Sequence, residues 1–126
     1  MSHSITHEVA VRYAAALAAD RTDGVLALLA DSARFQSPFT LWQEPAGVRA
    51  AYTARAAAFR HLAVLEVLAR DDRAVLMWQA EVSGQLVEGC EVLTSSGSEV
   101  VRVDVYLRPA AVLPVVHAAM KAAWPR

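Results

Sequence analysis

HEVAVRYAAALAADRTDGVLALLADSARFQSPF, residues 7–39, is the stretch whose reading decides the fold. Alanine is the strongest helix former, so the run around Tyr13 predicts a helix from Ser4 or His7 to Ala19. Val9, Tyr13 and Leu17 recur every four residues and share one face. A turn from Asp20 to Gly24 follows, in which Thr22 or Asp23 offers a side-chain oxygen to cap a short second helix, Val25 to Ala30. Val25, Leu28 and Leu29 supply its buried stripe. Ala33 to Gln36 then predicts a short strand, stopped by Pro38, which lacks the N–H that a sheet needs.

Working outward, the loop from Phe39 to Glu44 carries Phe39, Leu41 and Trp42. Pro45 suits the first turn of a third helix, expected to run to Phe59 or Arg60 with Val48, Tyr52 and Phe59 at helical spacing. The second half reads as four Val- and Leu-rich strands: His61 to Ala69, Ala74 to Ser83, Gln85 to Thr94, and Glu99 to Arg108. Turn residues separate them at Asp71-Asp72, Ser83-Gly84 and around Gly97. Short turns between successive strands imply an antiparallel meander. In the last strand Val101, Val103, Val105 and Leu107 face one way, and Arg102, Asp104, Tyr106 and Arg108 the other. Pro109 ends it, and Ala111 to Trp124 predicts a closing helix with Pro114 in its first turn. The order implies an α+β fold, with helices on one face of a curved antiparallel sheet. Such a sheet leaves a cone-shaped hollow suited to a small molecule.

With 126 residues the chain is expected to form a single domain, residues 1–126, with a core that needs neither disulfide nor metal. Its 56% hydrophobic and 20% charged residues fit a globular domain, and a net charge of -1 gives no reason to expect a nucleic-acid partner. Arg49, Arg55 and Arg60 fall at mixed helical phases and read as a solvated helix face. The single Cys90 excludes an internal disulfide and suits a reducing cytoplasm. No apolar run reaches the roughly 18 residues of a membrane span, and MSHSITHE lacks the apolar segment of a signal peptide, so cytoplasmic residence without membrane contact is expected. His3 and His7 stand four apart, as in helical metal pairs, yet no third ligand accompanies them; neither metal nor cofactor is expected.

Three strings, in their order and spacing, resemble one superfamily: RYAAALAADRTDGVLALLADSARFQSP at the start, VEGCEVL in the third long strand and VDVYLRP near the end. They resemble the nuclear transport factor 2-like superfamily, and within it the SnoaL-like and ketosteroid isomerase-like group. The resemblance covers nearly the whole chain and implies a cystatin-like roll. It also implies roles, residue by residue. Tyr13, in RYAAAL, matches the helix tyrosine that donates to the oxyanion in the isomerases. Glu91, in GCEVL, falls where a second, protonated carboxylic acid stands. Ser37, in QSP, occupies the place of the general-base carboxylate, and a serine lacking its own activating base does not abstract a carbon-bound proton at a useful rate. In SnoaL-type cyclases a carboxylate lies on the last strand. The inward positions here, Val103, Val105 and Leu107, carry none, and Asp104 points to the other face.

The expected function is therefore a pocket for a small, mainly apolar molecule, with Tyr13 and Glu91 as polar contacts at depth and as candidate catalytic groups. A carboxyl in such a low-dielectric cavity is driven toward its protonated form, ready to donate a hydrogen bond or act as general acid. Ser37, Phe39, Trp42, Tyr52, Phe59 and Trp78 are further candidate wall or mouth residues, beside Val103, Val105 and Leu107. Any chemistry would be of weak isomerase or cyclase type. The alternative is a non-catalytic dimerisation or adaptor domain whose cone is filled by Trp78, Phe59 and Leu107. A third reading is an isomerase that recruits His61 as base, since histidine changes charge near neutral pH. A homodimer is expected through the outer sheet face, where Cys90, Val92, Tyr106 and Trp124 mix with charged neighbours.

Overall fold

The computed structural model describes residues 4–126. Helix α1 spans Ile5–Ala18, and Ser4 opens it by accepting a hydrogen bond from the His7 amide. Its buried stripe runs through Thr6, Val9, Tyr13, Ala14 and Leu17, as the four-residue spacing requires. Asp20, in the left-handed region at φ 56°, ends the helix.

The next segment departs from the sequence expectation. Helix α2 is Thr22–Leu26, so neither Thr22 nor Asp23 caps it and Arg21 holds the cap position without a side-chain bond. Strand β1 starts at Leu29 and reaches Gln36, four residues earlier than its apolar residues suggest. The reason lies in distant pairing. The Val100 amide donates to the Leu28 carbonyl, and Leu29 pairs with Val100, so a partner 71 residues away draws LLAD into the sheet. A two-residue strand β2, Leu41–Trp42, folds back on Phe35 and Gln36 where a plain loop was expected.

Helix α3, Pro45–Ala58, begins with its proline in the first turn. Strands β3 (Arg60–Arg70), β4 (Arg73–Val82), β5 (Gln85–Ser96) and β6 (Glu99–Arg108) follow as an antiparallel meander. Ser83 and Gly84 have φ of 50° and 79°, the paired positive values that a two-residue hairpin turn demands. The sheet order is β2-β1-β6-β5-β4-β3. It is mixed rather than wholly antiparallel, because β1 runs parallel to β6. A single helical turn, Ala110–Val112, leads into α4, Leu113–Ala123.

Alternation sets the inner face. Ala74, Leu76, Trp78, Ala80 and Val82 of β4 point in, as do Val87, Gly89, Glu91 and Leu93 of β5. In β6 the expected alternation breaks once. Thr94 pairs with Arg102 and Ser95 with Val100, so Val101 sits in a bulge and Val100, not Val101, joins the core. Helix α1 covers β3 and β4, while α3 lies against β1 and α4, leaving a hollow between the sheet and the second pair of helices. No helix among the described residues is long and apolar enough to cross a membrane.

Candidate functional site

A cavity of about 390 Å³ opens between the inner sheet face and helices α3 and α4. Its deep wall is buried: Phe35 of β1, Ala51, Arg55 and Phe59 at α3, Trp78 of β4 and Val105 of β6. Exposed Thr40, His117 and Lys121 mark the end that meets solvent. Two stacked pairs flank that end, Phe39 on His117 at 4.9 Å and Trp42 on Trp124 at 5.2 Å between ring centroids. Gly47 makes the second stack possible, because a Cβ there would overlap the Trp42 indole.

Behind the deep wall lies a buried polar cluster centred on Glu91, which is 0% exposed. The Tyr13 hydroxyl donates to Glu91 Oε1 at 2.6 Å. Because that commits the one Tyr13 proton, the 2.5 Å bond between Tyr13 and Tyr52 has Tyr52 as donor. On Oε2, the Trp78 indole N–H donates at 2.7 Å and Arg55 Nη2 forms a close ion pair. Gly89 permits the Trp78 geometry. It pairs directly with Trp78 across β4 and β5, and any Cβ at this point would overlap the indole.

The electrostatics follow from burial. Loss of solvent, then the Glu91 carboxylate, hold both Tyr13 and Tyr52 well above the usual tyrosine range. Burial would lower the Arg55 pKa, but Glu91 outweighs it and keeps the guanidinium charged. Three rings also surround that cation, with its Cζ 5.1 Å from the Trp78 centroid, 5.7 Å from Phe59 and 5.9 Å from Tyr52.

Several sequence expectations need correction. Arg55 is 4% exposed at the centre of the site, not on a solvated helix face; Arg49 and Arg60 are exposed as expected. The signal was present, since Val48, Tyr52, Arg55 and Phe59 share one helical stripe. Glu91 and Tyr13 do point inward, but with Tyr52 and Val103 they lie behind the cavity wall, because Arg55 and Trp78 stand in front. Glu91 receives bonds from three donors on its two oxygens; Arg55 and Trp78 have only protons to offer, so the expected donor carboxyl is instead an acceptor.

Ser37, Phe39, Trp42, Phe59, Trp78, Val105 and Leu107 all line the cavity. The Ser37 hydroxyl is engaged locally, accepting from the Phe39 and Thr40 amides at 3.1 and 3.2 Å. Trp78, Phe59 and Leu107 border the space rather than fill it, contrary to the filled-cone alternative. His61 is exposed in the β3 bulge at φ 55° and lies off the cavity, whereas His117 of α4 lines it. Trp124 belongs to the cavity opening and not to the outer sheet face. Asp104 stands on the outer face, as expected, and binds Arg102. Of the two histidines spaced like a metal pair, His3 lies outside the described residues.

Among solved structures, the fold is similar to an uncharacterised protein with a cystatin-like fold from Silicibacter pomeroyi DSS-3. The TM-score is 0.84 at 22% identity, over 92% of this chain and 84% of that one. It is equally similar to a steroid delta-isomerase from Pseudomonas aeruginosa, with a TM-score of 0.84 at 19% identity over 95% and 91%. A protein with a ketosteroid isomerase-like fold from Catenulispora acidiphila, solved with trimethylamine, matches with a TM-score of 0.69 at 14% identity over 87% and 92%. No curated protein matches the chain. The profile of the SnoaL-like domain matches residues 10–108, which carry Tyr13, Arg55, Trp78 and Glu91, and the chain belongs to that family.

Proposed function

We propose that this protein binds a small, mainly apolar molecule in the cavity between the sheet and helices α3 and α4. The observation that carries this reading is the cavity itself: about 390 Å³ of space, walled by Phe35, Phe59, Trp78, Val105 and Val116, and ending on the buried Arg55–Glu91 pair. Cavities of this size and lining, with few polar groups, are those that enclose small ligands. Tyr13 and Glu91 act at depth by holding Arg55 and Trp78 in place. The likeness to a steroid delta-isomerase supports a hydrophobic ring system as the kind of body the cavity takes. Acid/base chemistry of isomerase or cyclase type forms the outer edge of the reading, since among the described residues no carboxylate lines the cavity and Glu91 stands one side chain behind it.

The reading includes a homodimer joined across the outer sheet face and residence in a reducing cytoplasm, which the unpaired Cys90 suits.

The test is titration with naphthalene-sized ring compounds, read by thermal shift and by the fluorescence of Trp42 and Trp124. Binding raises the melting temperature and changes the emission. Ala51→Phe, which projects a ring into the cavity from α3, abolishes both responses while leaving the circular dichroism unchanged. A panel that moves neither signal in the native protein overturns the reading.

A further inference from the structure

The Arg55 guanidinium is incompletely used. It carries five N–H donors and no acceptor. Nη2 meets Glu91, but Nε and Nη1 are buried without a hydrogen-bond partner. The rings of Tyr52, Phe59 and Trp78 interact with the cation but offer no lone pair in the plane of its N–H groups. Unmatched buried donors on a charged group are costly, and few folded proteins retain them without a reason. Arg55 also lines the cavity, so its buried donors lie within one side chain of unfilled space and meet a ligand when that side chain shifts.

The charges around the cavity have one sign. Its ionisable lining residues are Arg55, His117 and Lys121, and no Asp or Glu accompanies them among the described residues. Glu91 neutralises Arg55 from behind, which leaves Lys121 near the opening as the uncompensated fixed charge.

We infer that the cavity takes a small aromatic or alicyclic monocarboxylate, whose carboxylate accepts from the free donors of Arg55 while its apolar body lies against Phe59, Trp78 and Leu107. This rests on the ligand-binding reading above and names its substrate class. Arginine is the residue suited to it, because its planar charged donors match a carboxylate oxygen and its face stacks on rings.

Three probes of one shape separate the possibilities: 2-naphthoate, 2-acetylnaphthalene and naphthalene, titrated by calorimetry and followed at the Arg55 Nε–H resonance. The expected result is naphthoate binding about tenfold or more tighter than either neutral probe, the gain of a charge-assisted hydrogen bond. The Nε–H resonance shifts with naphthoate and not with naphthalene. Arg55→Met alone strands Glu91, so the test variant is the double Arg55→Met/Glu91→Leu, which removes both charges; it binds naphthoate no better than naphthalene. Lys121→Met keeps the preference. Equal binding of all three probes, or acetylnaphthalene as the tightest, overturns the carboxylate class while leaving the apolar cavity standing. Loss of the preference in Lys121→Met alone overturns the role of Arg55. Binding by none of the three overturns the inference and the reading beneath it together.

Discussion

At the residue scale the molecule turns on Glu91. Its carboxylate is wholly buried, and its partners Arg55, Trp78 and Tyr13 come from α3, β4 and α1. Removing one member of a buried pair leaves an uncompensated charge, which costs about 3–5 kcal/mol. Glu91→Gln should therefore lower the urea-unfolding free energy by about that amount. Arg55→Met/Glu91→Leu should recover most of it, and a loss equal to the sum of those in Arg55→Met and Glu91→Leu alone would contradict a coupled pair. The tyrosines give a pH signature. Their folded pKa values lie above the ordinary value of 10.0, so both states keep the phenol protons below about pH 10. Above it the unfolded chain sheds protons first, and stability falls as pH rises, by about 1.4 kcal/mol per pH unit for each tyrosine. Absorbance at 295 nm checks this: Tyr13 and Tyr52 should ionise only as the protein unfolds. The site was half legible in the sequence. Tyr13 and Glu91 were singled out by the family resemblance, and the fixed periods of a helix face and of a strand are consistent with their inward facing. Arg55 was missed because a charged residue defaults to the surface, and only its place between Tyr52 and Phe59 on one stripe argued otherwise.

At the element scale, local rules carried the reading wherever an element is made by its own residues. Helix α1, the three hairpins of the meander and the proline-opened α3 fall close to where propensity and turn chemistry put them. The misses are elements fixed from a distance. The start of β1 is set by Val100, and the place of Val100 in the core is set by a bulge opposite Ser95. Neither pairing leaves a trace in the local period. Gly89 shows the converse, a single residue that governs a contact between elements. In Gly89→Ala the new methyl and the Trp78 indole compete for one space on the inner face. The indole must swing away from Glu91 Oε2, which breaks a buried hydrogen bond besides overpacking the core. The expected loss is about 2–4 kcal/mol in urea unfolding, from overpacking together with the Trp78 N–H left without its acceptor. A red shift in Trp emission should accompany it. A variant with native stability and native emission would mean that the glycine serves the strand alone.

At the scale of the whole molecule the sheet has two unlike faces. The inner one is closed by helices except at the cavity, whereas the outer one carries Tyr106 at 61% exposure beside Met77, Leu65 and Cys90. Arg108 with Glu88, and Arg102 with Asp104, border these apolar groups with charges of both signs. A patch holding donors and acceptors of both charges is able to meet its own copy across a two-fold axis. Proteins do not commonly leave a groove of apolar groups next to paired charges without a covering surface. A homodimer across this face should bury about 800 Å² on each protomer if it is of standard size. Sedimentation velocity at micromolar concentration should then give the mass of two chains. Tyr106→Glu sets two carboxylates against each other near the axis and should yield a folded monomer. Ligand binding distinguishes assembly from function, because the cavity opens on the opposite side of the sheet: the monomeric variant should keep the thermal shift given by ring compounds. A wild-type protein that sediments as one chain at 100 µM, on the order of the highest concentration such a contact needs, would remove the dimer and leave the cavity untouched.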